Sequence, residues 1–194
     1  AFELLSKGRE LKGGVKKGLG GVLLGEKAEE RAQEYLSYGA QKVYLSQDPL
    51  LREFHADIYA QALHQAMEAS NADTLLLAST KRGKEVAPRV AQRVGCGCIT
   101  EAIGLGAMDG KLIAKRYALG GNTVATERVK SPKEVIAVVP KTFEANPVEK
   151  GEGELIHLDL WLDEPRLRVV ERRAKGGETA KIEDAETLIC VGRG

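Results

Sequence analysis

Four stretches of this 194-residue chain carry residue types that could do chemistry. The first is "TLICVGRG", residues 187–194, where a short apolar run breaks at Gly192, Arg193 and Gly194. A buried strand that runs into a glycine-flanked turn is how many α/β proteins begin a cofactor site, because glycine lets backbone amides approach a phosphate closely. The second is "LLASTKRGKE", in which Ser79 and Thr80 end an apolar run, Gly83 opens a helical pattern, and Lys81, Arg82 and Lys84 surround the turn. Basic residues where a strand meets a helix N-terminus suit a phosphate, although the P-loop pattern G-x-x-x-x-G-K-S/T is absent, and capping and solubility explain such residues equally well. The third is Cys96-Gly97-Cys98, which lacks two further ligands at zinc spacing and reads as small, partly buried hydrophobes. The fourth is "YALGGNTVATERV", whose Gly120, Gly121 and Asn122 suit a turn before a strand better than a ligand loop. His157, inside the alternation "HLDLWLD", reads as structural, and no catalytic or metal-binding set is expected.

The elements that must position these residues alternate along the chain. "FELLSKGREL" is a helix, "GGVLLG" a buried strand, "EKAEERAQEYLSYG" a helix stopped by Gly39, and "QKVYLS" a strand. Asp48 and Pro49 are expected at N-cap and N1 of a long helix reaching about Ala69. "DTLLLAST" is the next strand and "RGKEVAPRVAQRVG" the next helix, with Pro88 an irregularity within it. This order predicts right-handed crossovers and a mostly parallel sheet. Asp109-Gly110 between alternating runs then signals a hairpin, so antiparallel strands extend the sheet. "EVIAVVP", "IHLDLWLD" and "LRVVERR" are further strand candidates. The expected fold is α/β, three layers of α/β/α, with a mostly parallel sheet extended by antiparallel hairpin strands. One domain is expected over residues 1–174. The charged stretch around Gly176-Gly177 leads from it, through a linker and a short helix, to the first strand of a second domain over 175–194.

Composition narrows the partners. Lys and Arg number 29 against 28 Asp and Glu, a net charge of +1, too weak a field for nucleic acid or an anionic membrane. No apolar run approaches the roughly 18–20 residues of a bilayer span, and no secretory pattern opens the chain. A cytoplasmic, soluble protein is expected.

In order, "FELLSKGREL", "GGVLLG", "DTLLLAST-x-x-GKEVAPRVAQRVG", "RYALGGNTVAT", "SPKEVIAVVPKTFEA" and "EDAETLICVGRG" resemble the alpha subunit of electron-transfer flavoprotein. The resemblance covers nearly the whole chain. It includes an acidic strand residue at Glu101, a glycine turn over Tyr117 to Ala125 and a strand over Ser131 to Ala145. It implies an N-terminal scaffold domain, cut where the FAD domain begins, that pairs with a beta subunit. The pair would carry electrons one at a time from dehydrogenases to an acceptor such as a quinone reductase. Gly192, Arg193 and Gly194 match the turn that opens the FAD domain, so they are the cofactor-binding candidates of the intact subunit. The piece by itself is expected to be redox-inert and free of FAD. The family opens with a strand that this chain, starting at Ala1, does not contain, and it often has arginine where this chain has Val139. The link "VKKGLGG" also reads as compressed. The alternative reading is an adenine-nucleotide-binding α/β module of the universal-stress-protein type, resting on Lys81 to Lys84.

Overall fold

The computed structural model describes residues 1–11, 18–148, 151–167, 169–171, 187 and 189–192. Helix α1 (Phe2–Leu11) precedes strand β1 (Gly20–Leu24), helix α2 (Ala32–Ser37) and strand β2 (Lys42–Ser46). Helix α3 (Ala56–Ala69), strand β3 (Thr74–Ala78) and helix α4 (Lys81–Val94) follow. Then come β4 (Gly97–Met108), β5 (Lys111–Ala118), β6 (Thr123–Glu127), β7 (Glu134–Val138) and β8 (Glu154–His157).

Helix α4 shows why the sequence folds this way. Its buried residues Gly83, Val86, Ala87, Val90 and Ala91 recur at helical spacing, and the stripe packs on the sheet. Gly95, with φ 71°, ends it in the left-handed conformation that glycine adopts cheaply. Pro88 lies on the exposed side, and the helix continues through it.

Two helices differ from expectation. Asp48 does cap with Pro49 at N1, its Oδ1 accepting from the Leu50 N–H at 2.8 Å, but the element is a single 3-10 turn, Pro49–Leu51. That turn sends Leu51 into the core, where the Tyr59 hydroxyl donates to its carbonyl, and α3 starts afresh at Ala56. Residues 26–31 form successive turns rather than the first half of α2. There the Glu26 carboxylate pairs with Arg52, and its carbonyl accepts from Gln47.

The strands form two sheets. One is all parallel, in the order β1-β2-β8. The other has the order β3-β7-β4-β5-β6, parallel through β3, β7 and β4 and antiparallel from β4 to β6. A mostly parallel sheet with an antiparallel extension is therefore present, but divided: β1 and β3 each end a sheet. Shared helices bridge the division. On one side of the sheets, Leu4 of α1 joins the cluster of Ile99, Ile136 and Val138, while neighbouring Leu5 joins that of Leu23, Val43 and Leu45. On the other, α3 puts Ala60 and Met67 against α4 and β7, and Ile58 and Ala62 against Leu51 and Leu24. The expected layering is thus observed.

Only part of "IHLDLWLD" is a strand. Beyond β8 the chain runs extended along α3, held where Trp161 exchanges hydrogen bonds with the Gln65 side-chain amide and the Asp163 N–H donates to Gln61. Leu160 and Leu162 pack inward while Trp161 points out. Within "LRVVERR", the described residues 167 and 169–171 belong to no strand. The expected boundary near residue 174 and the short helix after it lie outside the described residues.

Glu134 begins β7, buried. The Thr74 hydroxyl donates to its Oε1 at 2.9 Å, whereas Oε2 has no partner among the described residues. Burial pushes this carboxyl up from its ordinary value, against the opposing pull of the Thr74 hydrogen bond and the Lys111 ammonium. A carboxyl raised in the fold stabilises it fully below the unfolded pKa, and that stability is lost as pH rises through the folded value. Glu134→Gln, which keeps the shape and removes the titration, should therefore gain stability relative to the parent as pH climbs from the ordinary carboxylate range to 7. Urea melts across that range check this, and parallel pH profiles would refute it.

Candidate functional site

In a parallel sheet, ligands collect where strands end and helices begin. In this chain that edge is formed by the end of β3, the start of α4, the middle of β4 and the segment after β7. Thr80 is the N-cap of α4, its Oγ1 accepting from the Gly83 N–H at 3.1 Å. Gly83 is required by close approach: a Cβ there would stand 1.8 Å from the Ala78 carbonyl oxygen. The Cβ position is fixed by the backbone and the carbonyl is itself backbone, so no rotamer change relieves the clash.

Two of the three cations of the turn, Arg82 and Lys84, are engaged within the fold. The Arg82 guanidinium lies 4.9 Å from the centre of the Phe54 ring. Lys84 Nζ donates to Glu101 Oε1 at 2.5 Å. Glu101 sits where β4 changes partner: the ladder to β7 is irregular between Ile99 and Ala102, and the ladder to β5 between Ala102 and Gly104. Its φ of 57° places a non-glycine residue in the left-handed region, an uncommon conformation for a residue without a short polar side chain. The hydrogen bond and charge of Lys84 hold the exposed Glu101 carboxyl below its usual range, with Arg116 adding to the effect. The resulting contact ties the first turn of α4 to the bulge of β4. It is a clamp, and its charges already neutralise each other.

A second clamp involves residues that sequence reasoning did not single out. The Glu3 carboxylate accepts the N–H groups of Lys141 and Phe143, at 3.2 and 3.1 Å. One turn along α1, the Ser6 hydroxyl accepts from the Asn146 N–H at 2.9 Å and donates to its carbonyl, and two turns along, Arg9 donates to the same carbonyl. The spacing of Glu3, Ser6 and Arg9 marks one helix face, but nothing local in the sequence signals a partner some 140 residues away. Val139, at the position where the resembled family often has arginine, donates its N–H to the Ala102 carbonyl and offers an apolar side chain.

The other candidates are placed as follows. The 119–122 segment closes on itself, with the Asn122 side chain donating to the Leu119 carbonyl and positive φ at Leu119, Gly120 and Gly121, so it is a turn. Cys96 and Cys98 are half-buried against the α4 cluster, and burial raises both thiols, so neither is poised as a thiolate. His157 lies exposed in β8 opposite Leu45. Among the described residues no group of three or more His, Cys, Asp or Glu could hold a metal, and no helix is long and apolar enough to cross a membrane. Of the expected flavin-turn residues, Gly192 is exposed with open space around it, while Arg193 and Gly194 lie outside the described residues.

A profile of the electron transfer flavoprotein domain matches residues 1–162. The chain belongs to that family. Electron transfer flavoprotein subunit alpha of Bacillus subtilis is 30% identical over 196 aligned positions, covering 100% of this chain and 59% of the relative. The same subunit of Megasphaera elsdenii is 32% identical, with the same two shares. A lactate dehydrogenase (NAD(+),ferredoxin) subunit, LctC, of Acetobacterium woodii is 30% identical over 100% of this chain and 47% of its own length. The chain thus spans about three-fifths of the length of the two alpha subunits. The flavoprotein reading is favoured over the universal-stress-protein alternative, in keeping with a basic turn whose Arg82 and Lys84 are spent internally.

Two substitutions test the clamp. Gly83→Ala should destabilise the domain by about 1–3 kcal/mol or more, the usual cost of overpacking, measured by urea unfolding. Lys84→Met should return the Glu101 carboxyl toward its ordinary pKa in an NMR titration. An unmoved Glu101 titration would mean that the ion pair does not form in solution.

Proposed function

We propose that this chain is the N-terminal domain of an electron-transfer flavoprotein alpha subunit. Together with a beta subunit, the intact subunit carries electrons from dehydrogenases to an acceptor such as a quinone reductase, by way of FAD. The observation that carries the reading is the match of the whole chain, end to end, to alpha subunits at 30–32% identity. The charge pairing described above supports a scaffold: Lys84 with Glu101 and Glu3 with the 141–143 amides brace the fold. The site of the protein is the cytoplasm.

FAD supplies the redox chemistry, accepting and releasing electrons one at a time when bound. The residues of this chain that would approach it are Gly192, Arg193 and Gly194, at the turn that opens the second domain. Gly192 fits that use, because it has no side chain and a Cβ placed there would meet nothing within 4 Å among the described residues. Arg193 supplies the cation. The described residues include a shallow depression beside Gly97 and Ser131; most FAD contacts are assigned to the second domain.

The 1–194 chain purified alone should be colourless and redox-inert, whereas the full-length alpha subunit expressed with its beta subunit should carry flavin absorbance. Stoichiometric FAD on the 1–194 chain would overturn the scaffold assignment. In the full-length complex, Arg193→Ala should weaken FAD binding about tenfold or more, the scale of a lost charged contact of 1.5–3 kcal/mol. Unchanged affinity and unchanged flavin potential would remove Arg193 from the site.

A further inference from the structure

Two thiols stand close together where β4 begins, and nothing in the function proposed above uses them. Cys96 and Cys98 flank Gly97, and both side chains pack against the same α4 cluster, so they share a face. The backbone that carries them is held on every side. The Cys96 N–H donates to the Ala91 carbonyl of α4 at 2.9 Å, and the Gly97 N–H donates to the Ser131 Oγ at 3.0 Å. On the opposite face the Val129 side chain covers Gly97, where a Cβ would stand 2.7 Å from Val129 Cγ1. Cys98 lies in register with Val135 of β7. Both cysteines are free and partly exposed.

Spacing decides which chemistry fits the pair. An extended run rises about 3.3 Å per residue, so side chains two residues apart on one face start about 6.6 Å apart. A disulfide brings its Cβ atoms to about 3.5–4.5 Å, which this backbone does not reach without moving. Two sulfurs that each bind one metal ion at about 2.3 Å stand up to about 4.6 Å apart, and two side chains leaning toward each other span that. The donor count then selects the ion. Structural zinc takes four ligands, and among the described residues no third His, Cys, Asp or Glu joins the pair in a metal-holding group. Cu(I) is soft, favours thiolates, and is satisfied by two of them in a linear arrangement.

Burial raises both thiols from their ordinary value. At Cys96 the Lys133 ammonium opposes the rise and Glu134 adds to it, while Cys98 is raised further by Cys96 itself. The thiols therefore keep their protons at neutral pH, and an entering ion must displace both. Two thiolates around one monovalent ion leave a single negative charge, which the Lys133 ammonium attracts.

We propose that Cys96 and Cys98 form a two-coordinate site for a soft monovalent cation of the Cu(I) class. Two S–H bonds are exchanged for two S–Cu bonds, both protons pass to solvent, and the copper stays Cu(I). The site stands independently of the flavoprotein reading. Its test is anaerobic titration of this 194-residue chain with Cu(I) against a coloured Cu(I) chelator, in a non-thiol reductant. The parent should take a single ion from the chelator, and X-ray absorption should show two sulfur neighbours and no other. Affinity should rise about hundredfold per pH unit below the thiol range, about tenfold for each proton displaced. Cys96→Ser and Cys98→Ser should each weaken binding by more than the roughly 10–100-fold typical of losing a group behind a ligand. Cys190→Ser, at the remaining cysteine, should leave affinity unchanged. Where a urea melt shows that serine unfolds either variant, alanine, which brings no polar atom to the cluster, replaces it. Parent-like binding after loss of either thiol would overturn the site. So would a one-proton pH slope in the parent, a third ligand to the copper, displacement of the copper by Zn(II), or an equal loss in Cys190→Ser.

Discussion

Strand β7 is held on both edges and on both faces, and the two sheets, the four helices and the antiparallel arm of β4, β5 and β6 are arranged around that fact. Its neighbours β3 and β4 pair with it in parallel, and all five of its residues are buried. Val135 and Ala137 face α3 and α4, while Ile136 and Val138 face α1. Each of the larger side chains contributes about 1.5–3 kcal/mol when fully removed from water, so the strand anchors both layers at once. It arrives late in the sequence and inserts between strands that were laid down earlier.

The same strand explains how α1 is placed. The chain leaving β7 turns at Lys141, which has a φ of 65°, and its free amides are taken up by Glu3. Unpaired backbone donors near a buried edge are costly, and a carboxylate that accepts two of them satisfies the turn and fixes the start of the helix together. With α1 so fixed, Leu4 and Leu5 fall on different sheets. A single helix thereby bridges a division that no hydrogen-bond ladder crosses among the described residues.

The charges at the strand ends bear on function. A lysine at a helix N-terminus beside a strand end is a common beginning for an anion site, yet Lys84 is bound to Glu101 and Arg82 rests on Phe54. The bulge that carries Glu101 is also where β4 leaves β7 and turns toward β5. The edge where a doubly wound protein would hold a ligand is in this chain the root of the projecting arm. That arrangement is in keeping with the scaffold role proposed for this domain.

The sequence by itself determined most of the elements, and the family. Alternating apolar runs, Asp109-Gly110, Gly95 and the Thr80 cap are local signals, since each depends on neighbours a few residues away. They sufficed for an α/β chain with an antiparallel extension. Asp48-Pro49 shows the limit of such signals: the cap was legible, but whether three residues or twenty follow it depends on the pull of the core on Leu51 and Tyr59. Strand order, the division into two sheets and the Glu3 and Glu101 clamps were decided by tertiary structure alone. Each joins residues distant in the chain through ladder register or packing. A one-residue shift of register would turn the exposed Tyr117 and Val124 inward, and composition cannot report that.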